Sequence, residues 1–172
     1  MIDGSIFSTF DDAVQYLYRT SSAYAEEGVK AGIGGPFGAG IILVRDEVFE
    51  VISIERNEVV STCDPTQHAE LRAISEACRY LGTPFLEKGV LVTTGRSCPM
   101  CLSAACLAKI PRVLWGEGFE TAAAEGFRDD AVLAHLRGEG EPMLIEEHYP
   151  DSGNWSIKPF EAWRAKTDKR QF

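Results

Sequence analysis

The chain has 172 residues, 45% hydrophobic and 25% charged, a composition that excludes collagen, coiled coil and disorder and suits a single domain over residues 1–172. Its 17 Lys+Arg stand against 26 Asp+Glu, a net charge of −9, and such a field repels phosphates and argues against a nucleic-acid partner. No stretch of about 18 apolar residues predicts a membrane span, and Met1-Ile2-Asp3-Gly4 lacks the basic start and apolar run of a signal peptide, so a cytoplasmic location is expected.

A helix is expected to open the chain. Thr9 or Ser8 can cap it, Asp11 and Asp12 lie in its first turn, and Phe10, Val14, Leu17, Tyr24 and Ala25 keep a helical stripe up to Ala31-Gly32. Gly34-Gly35-Pro36-Phe37-Gly38 breaks the chain. Apolar runs over 41–44 and 48–54 flank Arg45-Asp46-Glu47 and predict a β-hairpin. Residues 59–63 are expected as a loop, with Asp64 and Pro65 as N-cap and first residue of a second helix. That helix carries Leu71, Ile74, Ala77, Cys78 and Leu81 on one face and ends at Gly82. Residues 90–94 predict a buried strand, 98–109 a third helix, 113–115 a strand and 119–137 an Ala-rich, mostly helical stretch. A last strand over 143–147, a loop over 150–153 and a terminal helix over 158–169 complete the chain. Strands alternating with helices predict an α/β sandwich around a mixed sheet of five strands.

The cysteines are Cys63, Cys78, Cys98, Cys101 and Cys106. An odd number in a chain with no mark of secretion argues against a disulfide framework. Cys98 and Cys101 are three apart, so both thiols lie on one face of the third helix, whose N-terminus lowers thiol pKa. His68 and Glu70 open the second helix, and both helix starts are placed to meet at one edge of the sheet. One imidazole and two thiolates fill three positions of a tetrahedral zinc and cancel its charge, leaving the fourth for water. Glu70, two residues past His68, is placed to move a proton rather than to ligate. A Cys-x-x-Cys alone also describes a redox pair, and a lone helical histidine is usually structural. A closed structural zinc, with Cys63 as fourth ligand, is the rival reading of the whole set. Cys106 is expected in the core.

His68-Ala69-Glu70 followed by Cys98-Pro99-Met100-Cys101 is the spacing of the zinc nucleobase deaminases. With Gly34-Gly35-Pro36-Phe37-Gly38, Arg56-Asn57, Asp64-Pro65-Thr66-Gln67, Glu125-Gly126-Phe127 and Pro159-Phe160-Glu161-Ala162-Trp163-Arg164, the chain resembles the cytidine deaminase superfamily, most specifically its guanine deaminase branch. The resemblance implies a cytidine-deaminase-like three-layer α/β/α sandwich and one Zn2+ per chain, held by His68, Cys98 and Cys101. It implies hydrolysis of an exocyclic amine with release of ammonia, guanine giving xanthine, and Glu70 as catalytic proton carrier. It further implies that Asn57 bonds the base, that the Ala69 amide supports it, that Asp129 holds or protonates it, and that Phe37 lines the pocket. By their residue type alone, Asn57 can be a turn former, Asp129 a helix cap and Phe37 a core residue.

The branch forms homodimers that exchange C-terminal segments, so residues 155–172 are expected to pack on a second copy, with Phe172 closing the partner's pocket. The chain departs from the branch pattern at Arg96, where Glu is usual, at Ser97, where Pro is usual, at Cys106-Leu107, at Arg128 and at the final Phe172. These changes spare the zinc and proton-carrying residues and fall around the pocket. Other substrates of the same chemistry are cytosine, another aminopurine, a pterin or a triazine. A tRNA adenosine deaminase would carry a more basic C-terminal helix than Lys158, Arg164, Lys166, Lys169 and Arg170 make beside Glu161 and Asp168.

Overall fold

Ser5–Phe7 forms a three-residue strand, β1, ahead of the helix with which the chain was expected to open. Three residues are too few to display a two-residue period, and β1 exists because its backbone pairs antiparallel with a strand more than 40 residues away. The architecture is that of a computed structural model describing residues 1–139, 143–144 and 146–169. Helix α1 (Phe10–Lys30) follows, and the Thr9 hydroxyl caps it by accepting from the Asp12 amide at 3.1 Å. Its buried face, with Ala13, Val14, Leu17, Ser21 and Ala25, recurs at helical spacing, as the sequence pattern predicted.

Strands β2 (Gly38–Arg45) and β3 (Val48–Arg56) make the expected hairpin. A bulge between Ile41 and Ile42 leaves Ile52 as an extra residue on β3. The first departure after it is α2 (Val59–Thr62), one helical turn where a loop was expected. Helix α3 (Ala69–Leu81) starts four residues later than Asp64-Pro65 suggested. The Asp64 carboxylate accepts from the Thr66 amide at 2.8 Å and the Thr66 hydroxyl at 2.7 Å, which closes a local turn instead of capping a helix. The end of α3 at Gly82, in left-handed conformation, is as expected.

Next come β4 (Gly89–Gly95), α4 (Pro99–Leu107) and β5 (Arg112–Glu117). The Ala-rich stretch divides into α5 (Phe119–Ala124) and α6 (Asp129–Leu136) around Gly126, whose φ of +90 suits glycine. The terminal helix α7 (Lys158–Ala165) is shorter than predicted. The strand predicted over 143–147 is a correction: its four described residues form no strand, and Ile145 lies outside the described residues. Met143 and Leu144 are exposed, so an apolar run there signals neither burial nor pairing.

The sheet order is β1-β3-β2-β4-β5, antiparallel throughout except for β4 beside β5. Strand alternation sends Ile42, Val51, Ile54, Val90 and Val92 toward α1. Ala39, Ile41, Leu43, Ile52 and Leu91 face the opposite way, against α3 and α4. The result is the expected three-layer α/β/α sandwich with a five-stranded mixed sheet, although β1 replaces the expected fifth strand. Burial of side chains such as Leu17, Ile41, Ile52 and Leu91 contributes roughly 1.5–3 kcal/mol each. Among the described residues, no helix is long and apolar enough to cross a membrane.

Candidate active site

Both functional helices begin with an N-cap residue whose side chain does not cap. His68 precedes α3 and Cys98 precedes α4, and neither side chain bonds the first turn of its own helix. Both turn toward each other instead. The His68 Nδ1 lies 3.6 Å from the Cys98 Sγ and 3.5 Å from the Cys101 Sγ. The three candidate ligand atoms all fall within 4.8 Å of one another. A tetrahedral zinc with bonds of about 2.0–2.3 Å spaces its ligand atoms about 3.6 Å apart, so the donor set fits that ion in chemistry and in size. The uncapped amides of both first turns add positive potential around the two sulfurs.

The protonation balance follows from this packing. The Cys98 thiol is drawn down to about 4 by the hydrogen bond from Cys101, with His68 helping against burial. Cys101 moves the opposite way, held up by its bond to Cys98 and by burial. His68 is raised by its contact with Cys98.

Glu70 is 5% exposed and outside the three-ligand cluster. Burial pushes its carboxyl up from the ordinary range. Ser97, fully buried beside it, presents a hydroxyl that makes no hydrogen bond of ordinary geometry among the described residues. Ala69 is completely buried at the first position of α3. Asp129, half-buried at the start of α6, is raised chiefly by burial and then by the charge of Cys98. Its neighbour Arg128 turns outward and grips Asp130 with two bonds of 2.9 and 3.0 Å, which leaves Asp129 without that cation.

The Asn57 amide oxygen accepts from the Gly35 amide at 3.1 Å and the Val59 amide at 3.2 Å. These two bonds fix which end of the side chain is oxygen and leave the NH2 end free to donate. A Cβ on Gly34 would fall 2.2 Å from the Asn57 carbonyl oxygen, so only glycine lets this loop approach. Phe37 meets Phe127 edge to face, with centroids 4.9 Å apart. Together with Thr94, Gly95 and Thr121, these rings line a cavity of about 300 Å³. Phe127 was assigned no role from sequence; a large aromatic directly after Gly126 in an Ala-rich stretch is the signal that marks it. Phe172 lies outside the described residues.

Two cysteine expectations change. Cys63 is exposed, with its thiol 3.8 Å from the Val60 carbonyl and outside the ligand cluster, so it does not close the site. Cys106 is exposed rather than in the core. Arg96, which departs from the family pattern, stacks its guanidinium over Trp115 at 5.5 Å and Phe119 at 4.6 Å.

An α/β/α sandwich that gathers one imidazole, two thiols and a buried non-ligating carboxylate at two converging helix starts defines a zinc-dependent hydrolytic deaminase. Residues 12–117 match the family described as the cytidine and deoxycytidylate deaminase zinc-binding region, and the chain belongs to that family. The guanine deaminase of Bacillus subtilis is 37% identical over 146 residues, which is 85% of this chain and 90% of that protein. Its X-ray structure superposes with a TM-score of 0.79 at 34% identity, covering 92% of this chain and 98% of that one. A tRNA-specific adenosine deaminase of Aquifex aeolicus is 42% identical over 81 residues, 47% of this chain and 52% of that protein.

Proposed function

We propose that this chain hydrolyses guanine to xanthine and ammonia. The single observation that carries guanine over other amines is the likeness to the Bacillus subtilis guanine deaminase. It covers 146 residues and so extends past the 12–117 segment common to the wider family. The tRNA-directed relative matches a shorter part of the chain, and the net charge of −9 disfavours a polyanion.

In this reading His68, Cys98 and Cys101 hold zinc, which when bound supplies the Lewis acidity that makes water a nucleophile near neutral pH. Water oxygen forms the new bond to C2 of the base, and the bond from C2 to the exocyclic nitrogen breaks. Glu70 moves two protons: one from water to the ring nitrogen, then one from the new hydroxyl to the departing amine. The amine leaves as ammonia and a carbonyl remains. Burial raises the Glu70 carboxyl, which suits a group that must both take and release a proton. Asn57 donates its NH2 to a ring acceptor, the buried Ala69 amide supports the base, and half-buried Asp129 binds a ring N–H. Phe37 and Phe127 clamp the planar ring.

Replacing Asn57 by Ala should raise KM and cost roughly 1–3 kcal/mol in kcat/KM, since a polar ring edge loses its partner. Steady-state kinetics on the best substrate check this. A panel of guanine, cytosine, adenine and a tRNA anticodon stem-loop, read by ammonia release, tests the substrate. Guanine turnover well above the others is expected, and preference for another member overturns the assignment. That panel matters because Arg96, Arg128 and Leu107 all differ from the family pattern.

We further propose a cytoplasmic homodimer, a reducing compartment being what the two ligand thiols require. Residues 155–172 would pack on the second copy, with Phe172 closing its pocket. Supporting this, Phe160 and Trp163 of α7 are 65% and 39% exposed, and Trp155 and Ile157 just before it are also exposed. A helix with such an apolar side rarely stays uncovered. Deleting residues 168–172 should lower activity, and the intact protein should sediment as a dimer at micromolar concentration. Full activity of the truncated form together with a monomeric intact protein would end this part of the reading.

A further inference from the structure

We propose that Ser97 is a positioning residue for Glu70, its hydroxyl orienting the carboxylate that carries the proton. The inference rests on the reading of Glu70 as proton carrier. Ser97 lies in the connection between β4 and α4, immediately before Cys98. Its side chain is 1% exposed. Its Oγ and the Arg72 Nε are the two buried side-chain polar atoms without a partner among the described residues. The Arg72 guanidinium is otherwise held, by Glu55 at 3.0 Å, Gln67 at 3.1 Å and Glu58 at 3.2 Å. Ser97 has no such account, and a buried hydroxyl without a partner calls for one.

The nearby group able to supply it is Glu70. Ser97 adjoins Cys98, Glu70 stands two residues past His68, and the Cys98 Sγ and His68 Nδ1 are 3.6 Å apart. The Ser97 hydroxyl has no hydrogen-bond partner among the described residues, and bonds in active sites commonly tighten only when substrate fills the pocket. A serine hydroxyl is a rotor that both donates and accepts. It donates to one oxygen of the ionised carboxylate and accepts from the protonated one, so it can hold Glu70 through both halves of the proton transfer. With one oxygen tethered, the other is aimed at the reacting atoms. Alanine at this position can do neither.

The experiment compares the wild type with Ser97→Ala, Ser97→Thr, Glu70→Gln and the Ser97→Ala/Glu70→Gln double variant. Zinc content, melting temperature, kcat and KM are measured for each. Loss of one hydrogen bond to a charged group predicts a fall in kcat of about tenfold for Ser97→Ala, with KM and zinc content unchanged. Ser97→Thr keeps the hydroxyl and should restore most of the rate. In the Glu70→Gln background, Ser97→Ala should change kcat little. Unchanged kcat in Ser97→Ala overturns the inference, as does an equal loss in the Glu70→Gln background or a loss of zinc. Slow turnover in Glu70→Gln beside full turnover in Ser97→Ala removes the role of Ser97 alone. Normal turnover in Glu70→Gln removes the reading of Glu70 and this inference with it.

Discussion

Glu70→Gln is expected to lower kcat by at least ~10²-fold, the scale on which a general acid–base group acts, while the protein still folds and still holds zinc. The substitution replaces a carboxylate by a neutral group of nearly the same shape, so packing around the start of α3 is kept. Glutamine cannot take a proton and return it. At 5% exposure the position is shielded from bulk solvent, which disfavours substitution by an outside base. Glu70 also lies outside the cluster formed by His68, Cys98 and Cys101, and metal analysis should therefore read the same in wild type and variant. Ammonia release, zinc content and a thermal melt on one preparation decide the matter. Near-normal turnover would leave the proton transfer to another group, Asp129 first among them.

The convergence of His68, Cys98 and Cys101 was legible in the sequence because its geometry is local. A three-residue spacing puts Cys98 and Cys101 on one helical turn, and strand-to-helix connections bring α3 and α4 to a common edge. The glycine at 82 and the cap at Thr9 were legible for the same reason. Elements that depend on distant partners were not. β1 exists only through pairing with β3, and no pattern in three residues announces that. The apolar residues at 143–144 looked like a strand because a run of side chains says nothing about whether a pairing edge is near. Asp64-Pro65 imitated a helix start, yet the Asp64 carboxylate had a nearer use in its own turn. The side of Asn57 that faces a ligand is likewise unreadable from sequence: Gly35, 22 residues away, and Val59 occupy its oxygen. The exposure of Cys63 and Cys106 depends on how α2 and α4 sit, which periodicity in such short helices hardly constrains.

Removing a ligand should have the largest effect of all. His68→Ala and Cys98→Ala are each expected to drop zinc from one per chain to a small fraction. Activity should fall further than the ~10–100-fold typical of changes one shell out from a metal. With three protein ligands, loss of any one leaves two, too few for a tight tetrahedral site. The damage should also be structural. Cys101 is completely buried and Cys98 nearly so, and two buried thiols beside a half-buried imidazole are a poor substitute for a charge-neutral zinc centre. Both variants should therefore melt below the wild type, and a chelator should bring the wild type toward the same melting temperature. Cys63→Ser is the control that separates a catalytic from a structural zinc. Its thiol is exposed and turned toward the Val60 carbonyl, so zinc content, melting temperature and turnover should all be unchanged. A Cys63→Ser protein that loses its zinc would mean a fourth protein ligand and no position for water, and hydrolysis at this site would then have no nucleophile.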